Sequence, residues 1–125
     1  MVAARLPYIQ KFVDQSNHNY NFLCDIDKDR YLDWVITASF YTVLHIVNAH
    51  AAARNHPFKK IFDYESIHTQ RIAYVRSNLR DKYTDFIRLI NESFNARYDA
   101  LYFQNYDGDI NEFLKIAEDF RKIAI

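Results

Sequence analysis

Six side chains are of the types that hold a phosphate or move a proton beside one: Tyr41, His45, His68, Arg71, Arg97 and Tyr98. Three of them keep unexpected company. At helical spacing His45 shares a stripe with Trp34, Ala38, Tyr41, Asn48 and Ala52. His68 opens a later helical segment on its inward stripe, and Arg97 falls in line with Tyr83, Ile87, Ile90, Phe94 and Leu101. Buried polar groups need partners, and a buried cation needs one most. An imidazole that titrates near ~6.5, set beside a fixed cation, suits proton transfer at a phosphodiester. Each residue also has a plain structural role open to it. His45 fits a core histidine bonded to a carbonyl or a Tyr hydroxyl, and His68 fits the flank of a helix start. Arg97 fits an ion pair with Asp99, Asp33 or Glu92, or a side chain that snorkels to the surface. Residue type does not separate the two sets of roles.

Other chemistries find less support. His45, His50 and His56 are widely spaced and lack neighbouring carboxylates, so no metal site is expected. There is no Gly-rich phosphate loop and no G-x-S-x-G elbow, and no cofactor is implied. Cys24 is the only cysteine, which excludes an internal disulfide and fits a reducing compartment. The N-terminus lacks a long apolar stretch of the secretory type, so a cytoplasmic location is expected. The pairs Asp25 with Asp27 and Asp107 with Asp109 stand where helix caps belong. Ten Tyr and ten Phe supply ring surface for stacking bases or for an aromatic core.

Helices must carry these residues. The chain has 125 residues, one Gly and two Pro, so one domain of long helices with short links is predicted. Trp34 to Ala53 contains no formal charge and matches a membrane span in length. Its Thr37, Ser39, Tyr41, Thr42, His45, Asn48 and His50 are costly in hydrocarbon, so no membrane is expected. Ile36, Phe40, Val43 and Val47 form one apolar stripe, roughly opposite the stripe that carries His45. A helix apolar on both sides is sandwiched within a bundle or against a second subunit, so a homodimer is expected. This central helix is expected to start near Asp27 or Asp29 as N-cap and to end before Pro57.

Around it, the first helix is predicted from Leu6 to about Leu23. A third is capped by Ser66, with Ile72, Val75 and Leu79 inward, and a fourth runs from about Asp81 to Tyr102. Gly108 breaks the chain, and Asp109 with Glu112 resembles a capping box ahead of a last helix. No segment alternates long enough to need a sheet. Sixteen basic and sixteen acidic residues cancel, but Arg54, Lys59, Lys60, Arg71, Arg76, Arg80, Lys82 and Arg88 crowd one part of the chain. That fits a mixed solvated surface or a local basic face for phosphates.

The stretches ASFYTVLHIVNAHAA, SIHTQRIAYV and YTDFIRLINESFNARYDALYF together resemble HEPN domains. The shared pattern is Tyr41-x-x-x-His45 on a long helix, His68-x-x-Arg71 opening the next, then Tyr83, Ser93 and Ala96-Arg97-Tyr98. The likeness covers about residues 30 to 105. It implies an all-α, four- or five-helix up-down bundle that often dimerises and is associated with RNA or nucleotide binding. It also implies a nucleotidyltransferase-like protein as a candidate partner. Some members are metal-independent ribonucleases with an Arg, four to six residues, then a His at a dimer cleft. This chain departs from that pattern, because the nearest Arg upstream of His68 is Arg54, thirteen intervening residues away. His68, Arg71, Arg97 and Tyr98 match the resemblance as a binding constellation. A non-catalytic binding module is therefore the main expectation. A ribonuclease with a rearranged His/Arg site and a structural dimerisation protein are the alternatives.

Overall fold

The computed structural model describes residues 6–56, 58, 67–99 and 101–125. Among these the protein is all-α, with no strand. Five helices exceed ten residues: α1 (Pro7–Asp25), α2 (Leu32–Ala53), α3 (Ile67–Asn78), α4 (Tyr83–Tyr98) and α6 (Asn111–Arg121), with a short α5 (Tyr102–Asn105) between the last two. Pro7 opens α1, where a missing N–H costs nothing and the fixed φ suits the first turn.

Helix α2 is the centre of the molecule. It packs against α1, α4 and α6. Ile36, Phe40, Val43 and Val47 join Phe86, Leu89, Phe113 and Phe120 in the main core. On the other side α1 runs antiparallel, with Leu23 against Val35 and Ala38, Ser16 beside Thr42, and Ile9 near Ala49 and Ala52. The sandwich predicted from the two apolar stripes is thus completed within one chain. The surface that motivated a dimer is covered by α1 on one side and by α4 and α6 on the other.

Among the described residues α2 is the one helix long and apolar enough to cross a membrane, and 83% of its most apolar window is buried in the protein. Its small hydroxyls are satisfied locally. Ser39 Oγ donates to the Val35 carbonyl at 2.7 Å, and Thr42 Oγ1 to that of Ala38 at 2.8 Å. From α1, Ser16 Oγ donates to the Thr42 carbonyl at 2.8 Å.

The ends of α2 differ from one another in how well the sequence announced them. At the C-terminus Asn55 adopts φ 56°, His56 N–H bonds the Ala51 carbonyl and Asn55 N–H bonds that of Ala52. This is a Schellman stop with Asn in the left-handed position, just ahead of Pro57. At the N-terminus the expected Asp27 or Asp29 cap is not used. Asp27 Oδ1 accepts from the amides of Asp29 and Arg30 and closes a separate turn, so α2 starts only at Leu32.

Three further expectations are corrected. The fourth helix is shorter than Asp81 to Tyr102, because residues Arg80–Lys82 form a 3-10 turn and the helix stops at Tyr98. Its inward stripe is also rotated. Phe86, Leu89 and Ser93 are buried, while Phe94 and Leu101 are 58% and 56% exposed. Two adjacent stripes of α4 are both apolar in sequence, and the period alone does not choose between them. The capping box before α6 does not form: Asp109 Oδ1 accepts from the Asn111 amide at 2.9 Å, but the Glu112 carboxylate turns away to pair with Arg88. The Ser66 cap lies outside the described residues.

Candidate anion-binding site

The site is built where α2, α3 and the end of α4 meet. Contacts advance in the same direction along α2 and α3: Phe40 meets His68, Asn48 meets Arg71, and His50 meets Tyr74. The pair therefore does not alternate direction as an up-down order would require.

Arg71 is the hub. It is half-buried, and its Nε donates to Asn48 Oδ1 at 2.9 Å. Its Nη1 lies 3.4 Å from His68 Nδ1, and its guanidinium sits over the Phe58 ring at 5.5 Å. A guanidinium only donates, so His68 Nδ1 must be the acceptor and the neutral imidazole carries its proton on Nε2. The electrostatics agree. Burial, then Arg71 and Arg97, hold the His68 pKa below its ordinary value. Burial lowers the Arg71 pKa as well, although a guanidinium stays charged.

His45 is half-buried on the next turn of α2 and faces Phe12 of α1, with ring centres 6.4 Å apart. Its Nδ1 is buried and lacks a hydrogen-bond partner. Burial and then Arg71 keep this imidazole toward its neutral form. The core-histidine role expected for His45 falls instead to His50, whose Nδ1 lies 2.6 Å from the buried Tyr74 hydroxyl.

Arg97 differs most from expectation. It is exposed rather than on an inward stripe. Its Nε donates to the Ser93 carbonyl at 3.1 Å and its Nη1 to Tyr41 Oη at 3.4 Å, so none of the acids proposed as its partner holds it. Its guanidinium lies 5.7 Å from the Phe40 ring, the same distance at which His68 approaches that ring. Arg97 and His68 thus converge on one aromatic side chain. Tyr98 stands 70% exposed beside Arg97 rather than in the cluster.

Among the described residues the ion pairs are Lys82 with Asp81 and Arg88 with Glu112, and neither touches this cluster. No group of three metal-ligating side chains exists among them. His68, Arg71 and Arg97 therefore gather two guanidiniums and an imidazole around Phe40 and Asn48, with no carboxylate paired to them among the described residues. Such an arrangement takes an anion with several oxygens, above all a phosphate. Sequence reasoning missed Asn48 as the group that orients Arg71, and Phe40 as the ring that joins α3 to α4. An Asn within an apolar helical stretch is the signal that marks the first.

Compared with protein-family models, characterised proteins and solved structures, the chain has no match.

Proposed function

We propose that this chain is a HEPN-like helical module that binds a phosphate-bearing ligand, RNA or a nucleotide, without cleaving it. One observation carries the reading: a half-buried Arg71, oriented by Asn48 and His68, has no carboxylate partner among the described residues. A cation held in this way is costly unless an anion completes it. Arg97, which shares the Phe40 ring with His68, supplies a second guanidinium near the same place.

The test is a titration of labelled single-stranded RNA of mixed sequence into the parent protein and into Arg71→Gln, which keeps a donor for Asn48 but removes the charge. Saturable binding that weakens linearly with log salt and falls in Arg71→Gln supports the reading. Absence of binding at low salt rejects it and leaves a structural role for the fold.

The ribonuclease alternative rests on the neutral imidazoles of His45 and His68 next to a fixed guanidinium. A neutral imidazole accepts a proton from a 2′-hydroxyl, and the cation offsets charge on the phosphorus. Accumulation of 2′,3′-cyclic phosphate ends, lost in His68→Ala, would replace the binding-only reading with this one.

A further inference from the structure

Resting on the phosphate-binding reading above, we infer that the adjoining cleft between the first half of α2 and the end of α4 is a nucleobase pocket that prefers guanine. Asp33, Trp34, Thr37, Tyr41, Ala96 and Arg97 line a solvent-open cavity of about 380 Å³, within the range of small-ligand pockets. Positions 33, 34, 37 and 41 follow one another along successive turns of α2. Ala96, with only a methyl group, leaves the floor open on the α4 side.

Each wall has a use. Trp34 is 54% exposed at this cleft, although it is the largest ring in the chain and the only tryptophan. An exposed indole face is a platform for a base. Asp33 is half-buried in the same cleft, yet it makes no ion pair with Arg97 or any other described residue. Its two oxygens match the adjacent N1–H and N2–H donors on the Watson–Crick edge of guanine. Adenine, cytosine and uracil offer no such pair of donors, so the carboxylate discriminates by bidentate geometry. Arg97 Nη1 donates to Tyr41 Oη, which leaves the Tyr41 proton directed elsewhere, suitably toward the guanine O6 acceptor. Arg97 also belongs to the cationic cluster through the Phe40 ring, so the phosphate of a bound nucleotide lies toward His68 and Arg71.

A second copy of the chain is the competing occupant, because Trp34 also borders an apolar groove with Phe22, Ile26 and Tyr31. The carboxylate and the guanidinium on the other side of Trp34 favour a polar, planar ligand over an apolar partner.

Trp34 fluorescence reads this pocket directly. The 5′-monophosphates of guanosine, adenosine, cytidine and uridine are titrated separately, since their phosphate is common and only the base differs. Guanosine monophosphate is expected to quench saturably, with at least about tenfold tighter binding than the others, the discrimination typical of one bidentate pair. Asp33→Asn is expected to erase that preference while the mixed RNA still binds through Arg71. Equal quenching by all four nucleotides, or a preference that survives in Asp33→Asn, overturns the pocket. RNA binding with no change at Trp34 also overturns it and leaves the phosphate site standing. Guanosine preference alongside unaltered RNA binding by Arg71→Gln does the reverse: the pocket stands and the cluster reading fails. A Trp34 signal that changes with protein concentration alone, with a doubled mass in sedimentation, assigns the cleft to a second copy and overturns the inference.

Discussion

The two flanks of the bundle use the same residue types in opposite ways. On the α1, α4 and α6 flank the carboxylates of Glu112, Glu92 and Glu118 all have partners. Arg88 pairs with Glu112, and Tyr102 donates to Glu92. Tyr20 donates to Glu118 at 2.9 Å while the Arg121 guanidinium lies over its ring and reaches Asn17. Burial and the Glu118 carboxylate push the Tyr20 hydroxyl up to about 12. On the α2, α3 and α4 flank, His45, His68, Arg71 and Arg97 meet rings, an amide and a hydroxyl, but none of them forms an ion pair with a described acid. On the proposed reading, the ligand belongs on the side whose guanidiniums have no acid partner among the described residues. The difference also predicts how substitutions divide between stability and binding.

The largest effect belongs to the matched flank. Phe113 is fully buried, beneath the Arg88 guanidinium at 5.4 Å and beside Tyr106. Phe113→Ala is expected to cost about 3–5 kcal/mol by urea unfolding. The fraction that stays folded should bind RNA as the parent does. A loss of affinity in the folded fraction would break the separation between the flanks.

Next comes Arg71→Gln, with the reverse pattern. A hydrogen bond to a charged group contributes about 1.5–3 kcal/mol, so affinity for RNA should fall about 10- to 150-fold. Stability should hold or rise slightly, because a half-buried cation with no carboxylate partner among the described residues is removed. A drop in urea midpoint with unchanged affinity would make Arg71 a structural residue and erase the contrast.

The pH response sharpens the comparison further. His45, His50 and His68 all sit below their ordinary pKa, chiefly through burial, with Arg71 and Arg97 acting on His68 and Arg54 on His50. The folded state then binds fewer protons than the unfolded chain. Their contribution to stability is present above the unfolded pKa near ~6.5 and declines as pH falls below it. A bound phosphate favours the charged imidazole, so affinity should rise over the same interval while the free protein loses stability. Parallel unfolding and RNA titrations between about pH 7.5 and 5.5 measure both trends. Replacing His50 should reduce the stability trend alone, since its partner is Tyr74 and it lies outside the cluster.

The sequence made some of this division legible and hid the rest. Residues 34 to 53 announced a central helix because both stripes were apolar and uncharged, and α2 is buried against three neighbours. The stop before Pro57 was legible because proline disfavours helix at the residue ahead of it, whereas the left-handed Asn55 that completes it emerged only in the structure. What failed was rotation and reach. Arg97 was read as inward because Phe94 and Leu101 share its stripe, yet both are exposed, and the true inward stripe of Phe86, Leu89 and Ser93 is one residue away. Glu112 was read as a local cap because its partner, Arg88, lies on another helix. The core-histidine role open to His45 went to His50 because the deciding contact, Tyr74, comes from α3. Local periodicity carries the helices. Which polar groups are left without a partner is a property of tertiary packing, and the candidate site is defined by that property.

The smallest expected effect tests whether matching charges contributes anything on its own. Arg88 and Glu112 are each nearly half-exposed, at 43% and 47% of their side-chain surface, so solvent screens their attraction. Exposed pairs contribute about 0.2–1 kcal/mol in double-mutant cycles. Arg88 is better placed than most, since it also lies over Phe113 and so loses less side-chain freedom on pairing. A cycle of Arg88→Met, Glu112→Gln and the double variant should give a coupling near the upper end of that range. The coupling should shrink in high salt, and RNA affinity should not change in any of the three. A coupling of zero would mean that the matched flank is matched only in geometry. The stability of that side would then come from Phe86, Phe113 and Phe120 beneath the charges, and the contrast between the flanks would reduce to the unpaired cations around Arg71.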